Sequence, residues 1–280
     1  MDKTISITVD VEEWFHTEWF DVEKVINKYY NGKYPKTDVE DCVNNLIELF
    51  NRYEINATFF VLGETAERYP GLITSIREND HEIACHGYYH NKFYDSLQEF
   101  REDIIKFKKR VEDEILGFRF PNFIFSNDTL SILCDEGFVY DSTIVPCRRI
   151  RGWYGNPDLP LGPFKYSFGQ DYLIEFPIAV CPYLRLPGGG GWYLRNIGYL
   201  WINSIVKCLI KKCGHATLYI HPWEISSNNP SYNEIPFHVF RKTGKATLKK
   251  IEILLKNFRY LRFENLKSLI KDDSYEYENF

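Results

Sequence analysis

Two acidic residues directly follow the first apolar run of the chain. The segment Ile5–Val9 has the composition of a buried strand, and Asp10 and Glu12 come next. Residues two apart in an extended chain project to the same side, so both carboxylates are expected at one strand mouth. Carboxylates placed there can accept a proton or ligate a cation. The alternative is a solvated loop start or a helix N-terminus, where acidic residues are also common.

Two histidines four residues apart follow another short apolar run. His86 and His90 come after the predicted strand Glu82–Ala84. On one helical turn, imidazoles at i and i+4 share a face and can reach one metal ion. The alternative is a surface turn that carries two unrelated histidines. His81 precedes the same strand, so we expect it at the opposite end, in a structural role.

An arginine and a third histidine end two further strand patterns. Arg119 ends the run Gly117–Arg119, and His221 follows Thr217–Ile220. A guanidinium can clamp a carboxylate; alone, Arg119 is as well explained as a surface charge and His221 as a structural residue. Together the four segments supply two imidazoles and a carboxylate as ligands, a second carboxylate as base and an imidazole as acid. This is the set of groups in a hydrolytic metal centre.

Strand and helix patterns alternate along the chain, which favours a parallel sheet with βαβ crossovers. Further strands are predicted at Asn56–Leu62, Phe138–Tyr140, Leu173–Phe176 and Tyr260–Phe263, and helices at Val39–Phe50, Gly71–Asn79, Leu97–Leu116 and Thr247–Asn257. At this length a closed or partly closed barrel is the economical arrangement. Chemistry in such barrels sits at the C-terminal strand ends, so site residues should directly follow strands.

The composition excludes several classes of protein. The 280 residues are 44 % hydrophobic and 26 % charged, as in an ordinary globular protein, and the net charge of −5 argues against a nucleic-acid partner. Seven cysteines without a C-x-x-C pair give no disulfide framework or zinc knuckle. The N-terminal segment lacks the pattern of a signal peptide and no apolar run is long enough for a transmembrane segment, so a cytoplasmic location is expected.

Seven motifs, in order along the chain, resemble the polysaccharide deacetylase family (the NodB homology domain), which comprises metal-dependent carbohydrate esterases that remove N-acetyl groups from glycans. They are T-V-D-V-E-E-W-F-H (Thr8–His16), A-T-F-F-V-L-G (Ala57–Gly63), H-E-I-A-C-H-G-Y-Y-H (His81–His90), G-F-R-F-P (Gly117–Pro121), G-F-V-Y-D-S (Gly137–Ser142), L-P-G-G-G-G-W-Y (Leu186–Tyr193) and Y-I-H-P-W-E-I (Tyr219–Ile225). The match looks closest to the D-x-E/D branch of bacterial surface-polysaccharide biosynthesis. It implies an α/β fold, a single distorted (β/α)7 barrel with parallel strands, over residues 1–270. The acidic tail 271–280 is expected to be frayed.

The resemblance also implies roles for individual residues. Asp10 resembles the general base, His86 and His90 the metal-binding pair, Arg119 the residue that holds and tunes the base, and His221 the general acid. This chain departs from the family pattern at one position.

That departure lies beside Asp10. The common pattern has a second, ligating Asp where this chain has Val11, which cannot ligate. Glu12 is the natural substitute, and Glu13 is a lesser candidate. The carboxylate that orients the catalytic histidine is assigned to Asp141, with Glu175 behind it.

The implied reaction is hydrolysis of an acetamide on an amino sugar, with one divalent ion, Zn²⁺ first and Co²⁺, Ni²⁺ or Mn²⁺ as alternatives. The substrate is an N-acetylated sugar or oligosaccharide, free or linked to a nucleotide or lipid, and backbone amides within Tyr88–Tyr89 or Pro121–Phe123 would hold the oxyanion. Gly188–Gly191 is interpreted as a flexible loop. Candidate substrate-binding residues are Trp14, Tyr89, Pro121, Trp192, Tyr193 and Trp223, and ordinary core packing is favoured for at least half of the four aromatic residues Trp14, Trp192, Tyr193 and Trp223.

Two other functions fit the same residues. One is a cyclic-amide or imide amidohydrolase of the same fold. The other is a carbohydrate-binding protein that lost the metal when Val11 replaced a ligand. Five retained residues argue against it: Asp10, His86, His90, Arg119 and His221.

Overall fold

The computed structural model describes residues 3–168, 171–270 and 275–278. Its strands β1–β10 are Thr4–Val11, Thr58–Val61, Glu82–Cys85, Gly117–Phe118, Tyr140–Asp141, Phe164–Phe168, Asp171–Glu175, His215–Ile220, Arg262–Phe263 and Tyr277–Glu278. Its helices α1–α10 are Val22–Tyr30, Val39–Arg52, Gly63–Arg68, Gly71–Glu78, Leu97–Val111, Asn127–Asp135, Gly191–Asn196, Tyr199–Cys213, Lys245–Phe258 and Leu266–Leu269.

The strands form one sheet in the order β10-β6-β7-β5-β4-β3-β2-β1-β8, with β9 also paired to β1. The pairings are parallel except that between β6 and β7. Isolated bridges from Ile178 to Thr217 and from Gly190 to Tyr219 link the segments after β7 to β8. The sheet therefore approaches closure without a continuous ladder at this seam, which confirms the parallel α/β architecture but not a fully closed barrel.

The central strand β1 shows how the sequence divides its two buried faces. Thr8 and Asp10 alternate with Val9 and Val11, and both faces are buried. The apolar positions pack in the main core between sheet and helices. The polar positions carry hydrogen bonds inside the sheet, as when Thr8 Oγ1 donates to the Leu218 carbonyl oxygen at 2.9 Å. Because alternate residues share a face, Thr8 and Asp10 lie on the same buried face, with Asp10 close to the C-terminal end of β1.

Helix α5 illustrates how the outer layer is fixed. Ser96 caps it by accepting a hydrogen bond from the Glu99 amide at 3.1 Å, and Phe100, Ile104 and Phe107 are buried on one face. The predicted helix extended to Leu116, but it ends at Val111 because Glu112 adopts a left-handed conformation with φ of 51°.

Some elements escaped the sequence patterns, notably α1, α6, α8 and the antiparallel β6. The tail also differs from the expected frayed segment over residues 275–278, because Tyr275 is buried and β10 pairs with β6. The other tail residues, 271–274 and 279–280, lie outside the described residues. Among the described residues, no helix has both the length and the apolar character needed to cross a bilayer.

Candidate active site

The predicted reactive residues lie at the C-terminal ends of four of the five consecutive strands β4, β3, β2, β1 and β8. Asp10 is near the end of β1, and Glu12 follows it. His86 directly follows β3, Arg119 follows β4, and His221 follows β8. The order β4-β3-β2-β1-β8 brings these strand ends together. His86, Arg119 and His221 directly follow strands, as expected, whereas Asp10 is the penultimate residue of β1.

Three potential metal ligands converge beside β1. One donor atom each from Glu12, His86 and His90 lies within 4.8 Å of the other two. Glu12 Oε2 is 2.8 Å from His90 Nε2 and 3.9 Å from His86 Nε2. Two ligands about 2.1 Å from a tetrahedral ion are separated by roughly 3.4 Å. The three residues therefore fit one divalent cation in position and in chemistry.

The imidazole of His86 is oriented from behind. Its Nδ1 lies 2.7 Å from the carbonyl oxygen of Arg119 and donates to it, which leaves the Nε2 lone pair directed at Glu12. Burial lowers the pKa of His86 to about 4, so the imidazole is neutral at ordinary pH. A neutral imidazole fixed through its other nitrogen is the usual form of a histidine ligand.

The spacing of His86 and His90 predicts a shared helical turn, but the structure has none there. Residues 86–90 form a bend in which Gly87 has φ of +84°. The left-handed glycine reverses the chain, and the two rings meet with centroids 5.6 Å apart. The spacing therefore identified the correct pair of histidines, but a bend at Gly87 brings them together and not a helical turn.

The Glu12 carboxylate is buried and surrounded by donors. The indole N–H of Trp223 donates to Glu12 Oε1 at 3.2 Å, and His221 Nε2 lies 3.5 Å from the same oxygen. Burial by itself would raise the pKa of Glu12, but the imidazoles of His90, His221 and His86 outweigh it and hold that pKa well below its usual range. Glu12 is therefore an anionic group.

Asp10 and Arg119 form a fully buried ion pair. Arg119 Nη1 donates to Asp10 Oδ1 at 2.6 Å and to Thr8 Oγ1 at 2.7 Å. Its Nε and Nη2 donate to the carbonyl and hydroxyl oxygens of Ser142 at 2.7 and 2.8 Å. The guanidinium is thus fixed on both sides and holds one oxygen of the Asp10 carboxylate.

Glu224, which sequence reasoning missed, is the carboxylate next to His221 Nδ1. Its Oε2 lies 3.3 Å from that nitrogen and accepts the His221 backbone N–H at 3.0 Å. Arg195 Nε donates to Glu224 Oε1 at 2.8 Å in a second buried ion pair. The spacing of three residues in H-P-W-E was the available signal, because it is that of a capping box. Burial would lower the pKa of His221, but Glu12 and Glu224 outweigh it and raise that pKa to about 9.

The carboxylates first assigned to orient His221 lie elsewhere. Asp141 accepts a hydrogen bond from Thr143 Oγ1 at 2.7 Å, and Glu175 accepts the Ile144 amide at 2.9 Å. Both are buried near Arg119, and burial raises the pKa of Asp141 to about 6. The prediction that either carboxylate orients His221 was wrong. Asp141 and Glu175 lie on the paired strands β5 and β7, whereas His221 follows β8 at the other end of the strand order.

The glycine run is a packing device rather than a flexible loop. All four residues of Gly188–Gly191 are buried. A Cβ on Gly191 would lie 1.9 Å from Glu224 Oε2, and one on Gly190 would lie 2.5 Å from the Tyr219 ring. Only glycine leaves room for Glu224 to reach His221.

Glu13, the lesser ligand candidate, is engaged on the other side of the chain. Its carboxylate accepts hydrogen bonds from Arg68 Nη1, Tyr69 Oη and Thr37 Oγ1 at 2.9 to 3.0 Å. The backbone amides of Tyr88 and Tyr89, which were candidates for holding the oxyanion, also have partners, because both donate to the Asp103 carboxylate.

A small cavity of about 70 Å³ joins the reactive groups. Asp10, Glu12, His86, His90 and His221 line it, and so does Trp223, whose ring stacks on His221 with centroids 5.0 Å apart. The remaining walls are largely aromatic and include Trp19, Phe120, Phe123, Trp153, Tyr154 and Tyr219.

The other predicted substrate residues stand outside this cavity. Trp14 belongs to a separate apolar cluster with Phe15 and Trp223, and Pro121 is buried in a 3₁₀ turn. Trp192 stacks on Trp19 with centroids 5.6 Å apart, while Tyr193 packs against the main core. Core packing therefore accounts for Trp14 and Tyr193.

Larger openings flank the cavity on two sides. A groove of about 700 Å³ shares His16, Thr17, Glu18 and His90 with it and includes the exposed Tyr89. A second groove of about 540 Å³ shares Phe123, Trp153 and Tyr154. The reactive groups thus lie at a narrow point between two wider surfaces.

Two family models account for most of the chain. The model for polysaccharide deacetylase matches residues 3–140, and that for a domain of unknown function, DUF3473, matches residues 142–268. The chain is 29 % identical over 108 residues to a peptidoglycan deacetylase of Helicobacter pylori, covering 37 % of each protein. It spans about two-fifths of the length of the curated relatives it matches first.

Solved structures share the fold at low identity. A protein of Mycobacterium smegmatis described as a polysaccharide deacetylase superposes with a TM-score of 0.66 and 16 % identity, over 96 % of this chain and 88 % of the other. An allantoinase superposes with a TM-score of 0.62 and 14 % identity, over 96 % and 89 %.

The candidate site draws on both matched regions, since Asp10, Glu12, His86, His90 and Arg119 come from the first and His221 from the second. The chain thus carries a polysaccharide deacetylase domain in residues 3–140, and the DUF3473 region, residues 142–268, completes the same sheet.

Proposed function

We propose that the protein is a metal-dependent hydrolase that removes the N-acetyl group from an amino sugar in a glycan or glycan precursor. The observation that carries this proposal is the convergence on one cavity of three potential ligands, the Asp10–Arg119 pair and His221. The polysaccharide deacetylase domain in residues 3–140 supports the same reaction class.

Glu12, His86 and His90 would hold one divalent ion, which we propose to be Zn²⁺. Two imidazoles and a carboxylate suit zinc, with Co²⁺, Ni²⁺ and Mn²⁺ as alternatives. When bound, such an ion polarises an amide carbonyl and lowers the pKa of water to about 7. Val11 does not prevent this, because Glu12 reaches the two imidazoles.

Asp10 and His221 would divide the proton transfers. Asp10, held by Arg119, accepts the proton of the attacking water, and His221 donates a proton to the departing amine. Glu224 holds His221 at Nδ1, so that Nε2 faces the cavity. Each such group typically contributes about 10²–10⁴-fold to the rate.

The donor for the oxyanion would come from Asn122. Tyr88 and Tyr89 direct their amides to Asp103, and the Phe123 amide donates to the Phe120 carbonyl. Pro121 has no N–H. Asn122 lines the cavity, and its backbone N–H is the candidate that remains among these residues.

The flanking grooves favour a substrate with sugar units on both sides of the reacting acetamide. A single acetamido group matches the narrow cavity, while the wider surfaces accommodate neighbouring units or a nucleotide or lipid carrier. A role in surface-polysaccharide biosynthesis is proposed from the D-x-E motif.

The test measures acetate release from N-acetylglucosamine oligosaccharides by the purified protein. We expect release to stop after chelation, to return with Zn²⁺, and to be absent in His86→Ala, which should also lose the ion by elemental analysis. His215→Gln is the matched control, since His215 is a buried histidine outside the site.

Two results would contradict the proposal. Hydrolysis of allantoin without acetate release would favour the cyclic-amide amidohydrolase. Glycan binding by a protein that takes up no metal would favour the carbohydrate-binding alternative.

A further inference from the structure

The bend between the two histidines is held by hydrogen bonds from both sides. The amides of Gly63 and Glu64, at the start of α3, donate to the Gly87 and Tyr88 carbonyl oxygens at 3.0 and 2.9 Å. A bend has no repeating hydrogen-bond pattern of its own, so its buried backbone groups need such external partners.

On the opposite side, the bend rests on the single carboxylate of Asp103. The Tyr88 amide donates to Asp103 Oδ2 at 2.6 Å, and the Tyr89 amide donates to Oδ1 at 3.2 Å. Tyr94 Oη adds a third hydrogen bond at 3.3 Å. Asp103 is 5 % exposed and lies on α5, whose neighbouring buried positions are apolar.

A carboxylate in this place serves a purpose that core packing does not need. Burial raises the pKa of Asp103, and the two amides and the Tyr94 hydroxyl oppose that rise. Two oxygens accepting from successive amides fix the orientation of two consecutive peptide planes. Gly87 fits the same arrangement, since a Cβ there would lie 3.2 Å from Asp103 Oδ2 and 3.0 Å from the Tyr89 carbonyl.

The two metal-ligand candidates are therefore fixed independently. His86 directly follows β3 and its ring is held by the Arg119 carbonyl. His90 follows the two peptide planes that Asp103 orients, and its Nε2 must still meet Glu12.

We propose that Asp103 is a positioning residue that sets His90 at the metal site by clamping the Tyr88 and Tyr89 amides. The inference rests on the proposed function, because it assumes that Glu12, His86 and His90 bind the ion. Residues that support ligands in this way typically contribute about 10–100-fold to metal affinity.

The experiment compares Asp103→Asn with Glu82→Gln. Glu82 is a matched control, because it is a buried carboxylate that also accepts three hydrogen bonds, from Tyr140 Oη, Thr58 Oγ1 and the Lys267 amide, on the N-terminal side of β3. An Asn side chain keeps only one acceptor oxygen, so one amide of the bend loses its partner. The readouts are the Zn²⁺ dissociation constant, by competition with a chromophoric chelator, and the unfolding midpoint without metal.

We expect Asp103→Asn to weaken Zn²⁺ binding by about 10–100-fold, whereas Glu82→Gln lowers the unfolding midpoint with an unchanged dissociation constant. Equal Zn²⁺ affinity of Asp103→Asn and the unaltered protein, or equal weakening by Glu82→Gln, would overturn the role of Asp103. Failure of the unaltered protein to bind Zn²⁺ at all would instead overturn the proposed function, and this inference with it.

Asp103→Glu covers the case in which Asp103→Asn does not fold. It keeps the charge and both oxygens but moves them by one methylene, so Zn²⁺ affinity should again fall. An unaltered affinity in a folded Asp103→Glu variant would refute the clamp.

Discussion

The N-terminal and the C-terminal ends of the strands both bury polar and ionisable residues, yet the protein uses these residues differently. At the N-terminal end, His215 is held between hydroxyls, with Thr4 Oγ1 2.9 Å from Nδ1 and Thr217 Oγ1 3.0 Å from Nε2. Both ring nitrogens are thereby satisfied by neutral groups. Burial lowers the pKa of His215 to about 3, so the ring stays neutral.

At the C-terminal end, ionisable groups face one another instead. His90 and His221 direct nitrogens at Glu12, and all three line a cavity that opens towards wider grooves. Burial of a polar residue is therefore common to both ends and marks no site. The distinguishing feature is that the donor atoms converge on a shared space rather than on hydroxyl or amide partners.

The largest test of this contrast is the replacement of Asp10 by Asn. The variant keeps the size of the side chain and removes the base, so acetate release should fall by about 10²–10⁴-fold while Zn²⁺ content stays near that of the unaltered protein. The measurement pairs kcat with elemental analysis. A full rate in Asp10→Asn would show that another group takes the proton.

A second test concerns the stability of the fold in acid, which should depend on His215 at the N-terminal end of β8. The pKa of His215 in the folded protein, about 3, lies below its ordinary value of 6.5. The stability from keeping this ring neutral is present above about pH 6.5 and is lost as pH falls towards 3. Between pH 6.5 and 5 the loss should be about 2 kcal/mol.

His215→Gln removes that share of the pH dependence. Denaturant unfolding of the metal-free variant at pH 7 and pH 5 should therefore show a smaller difference than in the unaltered protein. An identical difference would mean that His215 already titrates normally in the folded state.

The smallest expected effect separates the two tryptophans near the cavity. Trp153 lines the cavity, whereas Trp192 meets it through its stack on Trp19. An aromatic contact is worth about 0.5–1.5 kcal/mol, so Trp153→Ala should raise KM by roughly 2–10-fold. Trp192→Ala should change KM less, and the reverse order would restore Trp192 as the substrate contact.

The sequence identified most of the reactive residues because each directly follows a recognisable strand pattern. Asp10, His86, Arg119 and His221 could be placed at strand ends by the composition of the preceding residues, and the family motifs gave their proposed roles. Glu12 could be chosen over Val11 by chemistry alone. Partners across the fold were less accessible.

Errors arose where the answer depended on which strands are neighbours. Asp141 follows the end of a strand pattern as plausibly as any site residue, yet β5 pairs with β4 and β7 while His221 follows β8. The prediction of Trp14 as a substrate contact failed for the same reason, because Trp14 lies within the motif Thr8–His16 but its ring packs in a separate apolar cluster. Trp19 and Trp153 reach the cavity from loops that carry no periodic signal.

By itself, the sequence determined the alternation of strands and helices, the residue types at the strand ends and hence the class of chemistry, because these depend on local pattern. Only the tertiary structure decided that Glu224 holds His221, that Gly191 makes room for it, and that Asp103 clamps the bend before His90. Those contacts join residues through backbone direction and close packing, which a one-dimensional pattern does not contain.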